Sequence, residues 1–290
     1  MWYLLAVSIL WGFSFGLVKS EFSDLSGATL ACTRLLIALP CFIPFLKRPY
    51  LRWTQPNIRL IFTGAVQYGL MYVALFNAFT WLTGYEVALL TIFTPLYVVL
   101  AHAVVKRQLP PGWFWWTSIL AVMGALWIFQ PQAIPAKWPG ILLMQLANLC
   151  FASGQIAWRQ IRAKQPTARD TDGYALLYLG GVLAALPFAL LQNPVHELAQ
   201  LSGSQWGALL YLGAIASGLG FFLWNAGAAR VNPATLAVFN NLKIPVAILI
   251  SINLFREQAN LASLLPGLAI LLIALGWAEW ASRRQATKSS

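Results

Sequence analysis

The stretch TPLYVVLAHAVVKRQL at residues 94–109 and the stretch IPVAILISINLFREQA at residues 244–259 together decide the fold. They align at an offset of 150 residues, Pro95 on Pro245 and Lys106 on Arg256, so one unit occurs once in each half of the chain. Each copy is an apolar run long enough to cross a bilayer, which takes about 20 residues as an α-helix. By that criterion there are ten such runs, at approximately 2–18, 26–46, 59–82, 84–105, 112–129, 138–158, 173–192, 205–229, 232–254 and 261–281. The paired stretches are the fourth and ninth. A shift of five runs is odd, so the copies cross in opposite directions and the two halves form an inverted repeat. The expected architecture is therefore all-α and polytopic, with one five-helix repeat over 1–130, a second over 138–282, and a tail at 283–290.

Composition agrees with a membrane protein. Of 290 residues, 59% are hydrophobic and only 9% charged, against roughly a quarter charged in a soluble domain, and the mean hydropathy is +0.68. Tryptophans near the ends of the runs, such as Trp2, Trp81, Trp138 and Trp280, fit rings that favour the headgroup interface. The net charge of +11 does not indicate nucleic acid, because the cations are scattered over short loops rather than gathered on one helix. With a cytoplasmic N-terminus, the inner segments hold 14 cations (Lys47, Arg48, Arg52, Arg59, Lys106, Arg107, Arg159, Arg162, Lys164, Arg169, Arg230, Arg283, Arg284, Lys288). The outer segments then hold 3 (Lys19, Lys137, Arg256), so both termini are expected in the cytoplasm. The first run lacks a basic leader and a small-residue cleavage site, and is expected to be a retained helix.

The two remaining cations, Arg34 and Lys243, lie inside apolar runs. At 1.5 Å per residue they sit about 12 Å and about 16 Å from the outer side. A buried cation of this kind marks a functional site by default, and an anionic substrate, most simply a carboxylate, supplies the missing charge. Other readings stand beside this one. Arg34 can satisfy backbone carbonyls or reach Glu86 and lock the second run to the fourth, and Lys243 can lose its proton on burial or snorkel outward. Lys243, shorter and flanked by Asn240 and Asn241, is the better ligand candidate.

Polar and aromatic residues complete a candidate cavity. Gln145, Asn148 and Gln155 follow helical spacing on the sixth run, while Tyr68 and Tyr72 share a face of the third, as do Gln67 and Met71. Trp11 and Trp224 offer aromatic walls. Gly12 and Gly16 have the G-x-x-x-G spacing of close helix packing. Pro95 and Pro245 each remove a backbone hydrogen bond and are candidate hinges. Glu86 either relays protons or caps a helix. Cys32, Cys41 and Cys150 and the separated His102 and His196 form no disulfide framework or metal spacing. Without a phosphate-binding loop or a nucleophile elbow, no cofactor and no enzyme activity is expected, which leaves secondary transport.

The opening LAVSILWGFSFGLVK, the run TRLLIALPCFIPF and the Pro-centred fourth and ninth runs resemble the drug/metabolite transporter superfamily in its EamA-type ten-helix branch, over nearly the whole chain. A narrower resemblance, carried by GAVQYGLMYVALFNAFTWLTGYEVALLTIFTPLYV, LLMQLANLCFASGQIAW and LGAIASGLGFFLWNAGAARVNPATLAVFNNLKIP, is to the bacterial inner-membrane biotin transporters of that superfamily. It implies a lipid-embedded inner-membrane protein that imports biotin by alternating access, with no nucleic-acid partner. Elsewhere the superfamily exports amino acids and related metabolites, which is the alternative. Biotin's carboxylate, ureido ring and apolar body match a cation (Lys243 or Arg34), amides (Asn240, Asn241, Gln145, Asn148) and aromatic walls (Trp11, Tyr68, Tyr72, Trp224).

Overall fold

The computed structural model describes residues 2–129, 134–165, 167–230, 244, 246–256 and 260–288. Among them the secondary structure is helical throughout. The principal helices are α1 (Trp2–Glu21), α2 (Gly27–Ala38), α3 (Gln55–Ala78), α4 (Gly84–Lys106) and α5 (Gly112–Phe129). They are followed by α6 (Ile134–Ala163), α7 (Tyr174–Leu190), α8 (Gly203–Arg230), α9 (246–253) and α10 (Leu261–Lys288). Six of these, α1, α3, α4, α6, α8 and α10, are long and apolar enough to cross a membrane, and α2, α5 and α7 are shorter apolar helices. Asn240, Asn241, Lys243 and Pro245 lie outside the described residues.

Several helices depart from regularity for readable reasons. The second apolar run leaves α-geometry after Ala38, because Pro40 and Pro44 have no N–H to donate, and continues as tight turns at Leu39–Cys41 and Ile43–Phe45. In α4, Pro95 follows a 3₁₀ turn at Thr91–Phe93, where the Thr94 N–H bonds the Thr91 carbonyl and leaves that of Leu90 uncovered. Both α3 and α8 contain a wide π turn, at Ala65–Leu70 and Tyr211–Leu219. Such turns expose backbone carbonyls and are frequent at functional sites. The final helix does not stop at residue 282 but runs to Lys288.

Glycines bring the helices into contact. A Cβ at Gly64 would lie 1.8 Å from the Leu177 carbonyl oxygen, and one at Gly180 would lie 1.8 Å from that of Ile61, so α3 and α7 cross backbone to backbone. The Gly12 and Gly16 pair packs under Val246 and Phe255, as its spacing predicts. Away from this core, α5 and α10 run along each other, with the α-carbon side of Gly124 and of Gly267 each set against the other's carbonyl. That pair turns Trp116, Met123, Trp127, Ile273 and Trp277 outward. Ion pairs tie the end of the bundle where residues 47–54 and 164–173 lie: Lys47 with Asp172 at 2.9 Å, and Asp170 with both Arg162 (3.0 Å) and Arg230 (2.7 Å).

Candidate functional site

A cavity of about 60 Å³ lies between α1, α2, α3, α4, α6 and α8. A single water needs roughly 10–15 Å³ on this measure, so the space is closed down to a handful of waters. Its wall is aromatic and apolar (Trp11, Phe15, Met71, Phe76, Phe151, Phe221) with a polar edge of Thr91, Thr94 and Asn148. Arg34 reaches into it from α2 and is only 2% exposed.

Among the described residues the guanidinium is held without a counter-ion. Arg34 Nε donates to Ser217 Oγ at 3.1 Å and Nη2 donates to Tyr72 Oη at 3.2 Å. The rings of Tyr72 and Phe76 lie 4.9 and 4.8 Å from its central carbon. Among the described residues no carboxylate is within ion-pair distance of it. The alternative of an Arg34–Glu86 lock is therefore corrected: Glu86 Oε1 takes Lys137 Nζ at 2.5 Å, while Oε2 accepts the Thr83 N–H at 3.0 Å and caps α4. Among the described residues two of a guanidinium's five N–H donors are committed, which leaves others for a ligand carboxylate.

The wide turn of α8 orders this wiring. Ser217 Oγ donates to the Leu212 carbonyl at 2.8 Å, five residues back, so it accepts from Tyr72 Oη (2.8 Å) and from Arg34. Carbonyls in and just beyond the same turn take Trp11 Nε1 (Ala216, 2.9 Å), Tyr178 Oη (Ser217 and Gly218, 2.9 Å each) and Tyr174 Oη (Phe221, 2.8 Å). Exposed carbonyls thus fasten α1 and α7 to α8, and the Ser217 hydroxyl fastens α3.

One helical turn further along α3 and α8, away from the cavity, lies a sealed aromatic layer. Tyr68 stacks between Tyr178 and Phe221, with centroids at 5.1 and 4.6 Å, and Trp224 lies under Trp11 at 5.1 Å. A chain of hydrogen bonds runs through it: Gln67 Nε2 to Asn225 Oδ1 (3.1 Å), Asn225 Nδ2 to Tyr68 Oη (2.8 Å), and Tyr68 Oη to Tyr174 Oη (2.7 Å).

The structure divides the candidates named from the sequence. Arg34, Tyr72, Asn148 and Trp11 line one cavity. Tyr68 and Trp224 stand in the layer behind it, both fully buried. Gln145 faces a separate apolar groove between α4, α5 and α6, where it accepts from Tyr97 Oη at 3.1 Å. Asn148 serves the break in α4: its Nδ2 donates to the uncovered Leu90 carbonyl at 2.9 Å, and Thr94 Oγ1 donates to its Oδ1 at 3.0 Å. Pro95 sits at that break. Thr91 and Thr94 were missed as cavity residues. Small hydroxyl residues in an apolar run carry no distinguishing signal, since most bond their own helix.

The model of the EamA-like transporter family matches residues 1–130 and 138–278. A protein named biotin transporter from Salmonella typhimurium is 33% identical over 287 residues, covering 98% of this chain and 94% of its own. A probable biotin transporter from Pseudomonas aeruginosa is 35% identical over 294 residues, covering 98% and 99%. A solved crystal structure superposes with a TM-score of 0.71 at 17% identity, covering 97% of this chain and 96% of its own, a likeness of fold alone.

Proposed function

The chain belongs to the EamA-like transporter family, and from that premise we propose that it imports biotin by alternating access across the bacterial inner membrane. It is a multi-pass transporter and not an enzyme. The observation that carries the substrate reading is Arg34, a buried cation that lines the cavity with no carboxylate partner among the described residues. A ligand carboxylate supplies that charge, with Lys243 as a second cation for it, while Trp11, Phe151 and Phe221 flank the apolar body. The full-length relatives named for biotin support the choice of carboxylate.

We read the chain as two inverted five-helix halves, ten crossings in all, with both termini in the cytoplasm. The paired Pro95 and Pro245 stretches and the cation asymmetry support this. The cavity then lies toward the ends of α1, α3 and α4 that bear Glu21, Ala78 and Gly84, which is the outer half, and the layer around Tyr68, Tyr174 and Trp224 closes the inner half. Import requires the outer side to close over biotin while that inner layer parts, with the break before Pro95 as one hinge and Pro245 as its counterpart.

The test is uptake of labelled biotin by a biotin auxotroph whose other uptake routes are deleted. Expression should restore uptake and growth on low biotin. The unaltered protein, verified in the membrane yet giving neither result, overturns the reading.

A further inference from the structure

Two buried polar atoms in the inner layer have no hydrogen-bond partner among the described residues: Trp224 Nε1 and Gln67 Oε1. Both side chains are 0% exposed, and a buried polar group without a partner is rare enough to require a cause. Their chemistry is fixed. An indole nitrogen only donates. The free end of Gln67 is an acceptor for a reason that can be followed along the chain of bonds. Tyr174 Oη must donate to the Phe221 carbonyl, so it accepts from Tyr68 Oη; Tyr68 then accepts from Asn225 Nδ2, and Asn225 Oδ1 accepts from Gln67 Nε2. The amide orientation follows, and Oε1 is left over.

Position adds a second, independent observation. On α3, Gln67 lies four residues from Met71, and on α8 Trp224 lies three residues from Phe221; both Met71 and Phe221 line the cavity. Each unpaired group is therefore one turn inward of the lining, on the same helical face. Gly154 of α6 sits against Gln67, with its missing Cβ 2.2 Å from Gln67 Cβ, and one turn outward on α6 the cavity-lining Phe151 packs on Trp224 at 6.2 Å. The two groups thus flank the same stretch of α6, and the rings of Trp11, Phe151 and Phe221 separate them from the present cavity.

We propose that Trp224 Nε1 and Gln67 Oε1 form an inner subsite that reads a cyclic urea, the indole donating to the ureido oxygen and the glutamine accepting a ureido N–H. This rests on the biotin reading and extends it: the ligand lies along the bundle axis with its carboxylate at Arg34 and its ring one to two turns inward, once the Phe221 ring swings aside. No bond is made or broken, and the subsite sets specificity only.

The test compares ligands on the same variant, so that expression level cancels. Unlabelled biotin, desthiobiotin (ureido kept, sulfur removed) and the thiourea analogue of biotin, a weak acceptor, are each competed against labelled biotin uptake. Trp224→Phe, which keeps a packed ring, should weaken biotin and desthiobiotin about five- to tenfold while hardly changing the thiourea analogue. Gln67→Met should weaken biotin and desthiobiotin by a similar factor, and weaken an analogue with both ureido nitrogens methylated much less. Equal weakening of all competitors, or none, overturns the subsite and leaves biotin transport standing. Absence of uptake by the unaltered protein overturns both.

Discussion

Two helix pairs of this molecule are built on opposite rules. In α5 and α10 the helices run side by side through Gly124 and Gly267 and show large apolar side chains to their surroundings, Trp116 and Ile273 among them. In α3 and α8 both helices are interrupted by a wide turn, and between them they hold Gln67, Tyr68, Tyr72, Ser217 and Asn225 fully or almost fully buried. One pair obeys the solvent, since hydrocarbon outside asks only for an apolar surface. The other obeys its neighbours, since each buried polar group must find a partner or a ligand. Function is therefore expected to follow α3 and α8 and to ignore α5 and α10.

The sharpest way to break that contrast is Arg34→Met. A charge-assisted contact to a buried ligand carboxylate is worth about 2–5 kcal/mol, so biotin uptake should fall at least thirtyfold with the protein still in the membrane; normal uptake would remove Arg34 from the site. Next comes Gly180→Leu, whose side chain must displace the Ile61 carbonyl. Thermal unfolding in detergent should register about 3 kcal/mol of destabilisation, and an unchanged melting temperature would contradict the close crossing of α3 with α7. Ser217→Ala removes one acceptor of Arg34 and one of Tyr72. It should weaken biotin uptake about tenfold, a loss of roughly 1.5 kcal/mol. Gly124→Ala is the matching change in the other pair, where a Cβ meets Leu271 at 2.8 Å. It should cost about 1 kcal/mol of stability and leave the half-saturating biotin concentration unaltered; a shifted value would join α5 and α10 to the site.

The smallest effect belongs to the loop ion pair. Burial pushes the Asp172 carboxyl upward, but the Lys47 ammonium and the Arg169 N–H outweigh it and hold the group below the usual carboxylate range. A lowered value means that the stabilisation is present at neutral pH and disappears as pH falls through it. Because Lys47 is half exposed, Asp172→Asn should cost less than about 1 kcal/mol and blunt the acid sensitivity of unfolding; a larger loss would give this surface pair a structural weight the comparison denies it.

Much of this was legible in the residues. Apolar runs, the glycine pair on α1 and the break at Pro95 reflect the local demands of a bilayer, and a local demand leaves a local pattern. Arg34 was equally plain, being a charge where charge is expensive. Its partners were not. Glu86 stood close enough by depth to be a candidate, but Lys137, 51 residues further on, takes it, and a loop's reach cannot be read from spacing. Gln145 and Asn148 stand three apart, which is 60° short of a full turn, enough for one to enter the cavity and the other the groove behind. The wide turns left no mark, because a π turn is settled by bonds such as those of Tyr178 and Trp11 from other helices.

Those wide turns carry a consequence for how the molecule can change over generations. A π turn holds more residues than an α turn and absorbs them locally, leaving carbonyls that the helix does not bond itself. Substitutions within Tyr211–Leu219 alter one contact each. A single deletion there would instead let the segment close toward α pitch and draw those carbonyls back into the helix, so that Trp11, Tyr178 and Ser217 would lose acceptors in one step. Chain length in this turn is therefore under tighter constraint than residue identity, and the site hangs on residues that a regular helix would leave out.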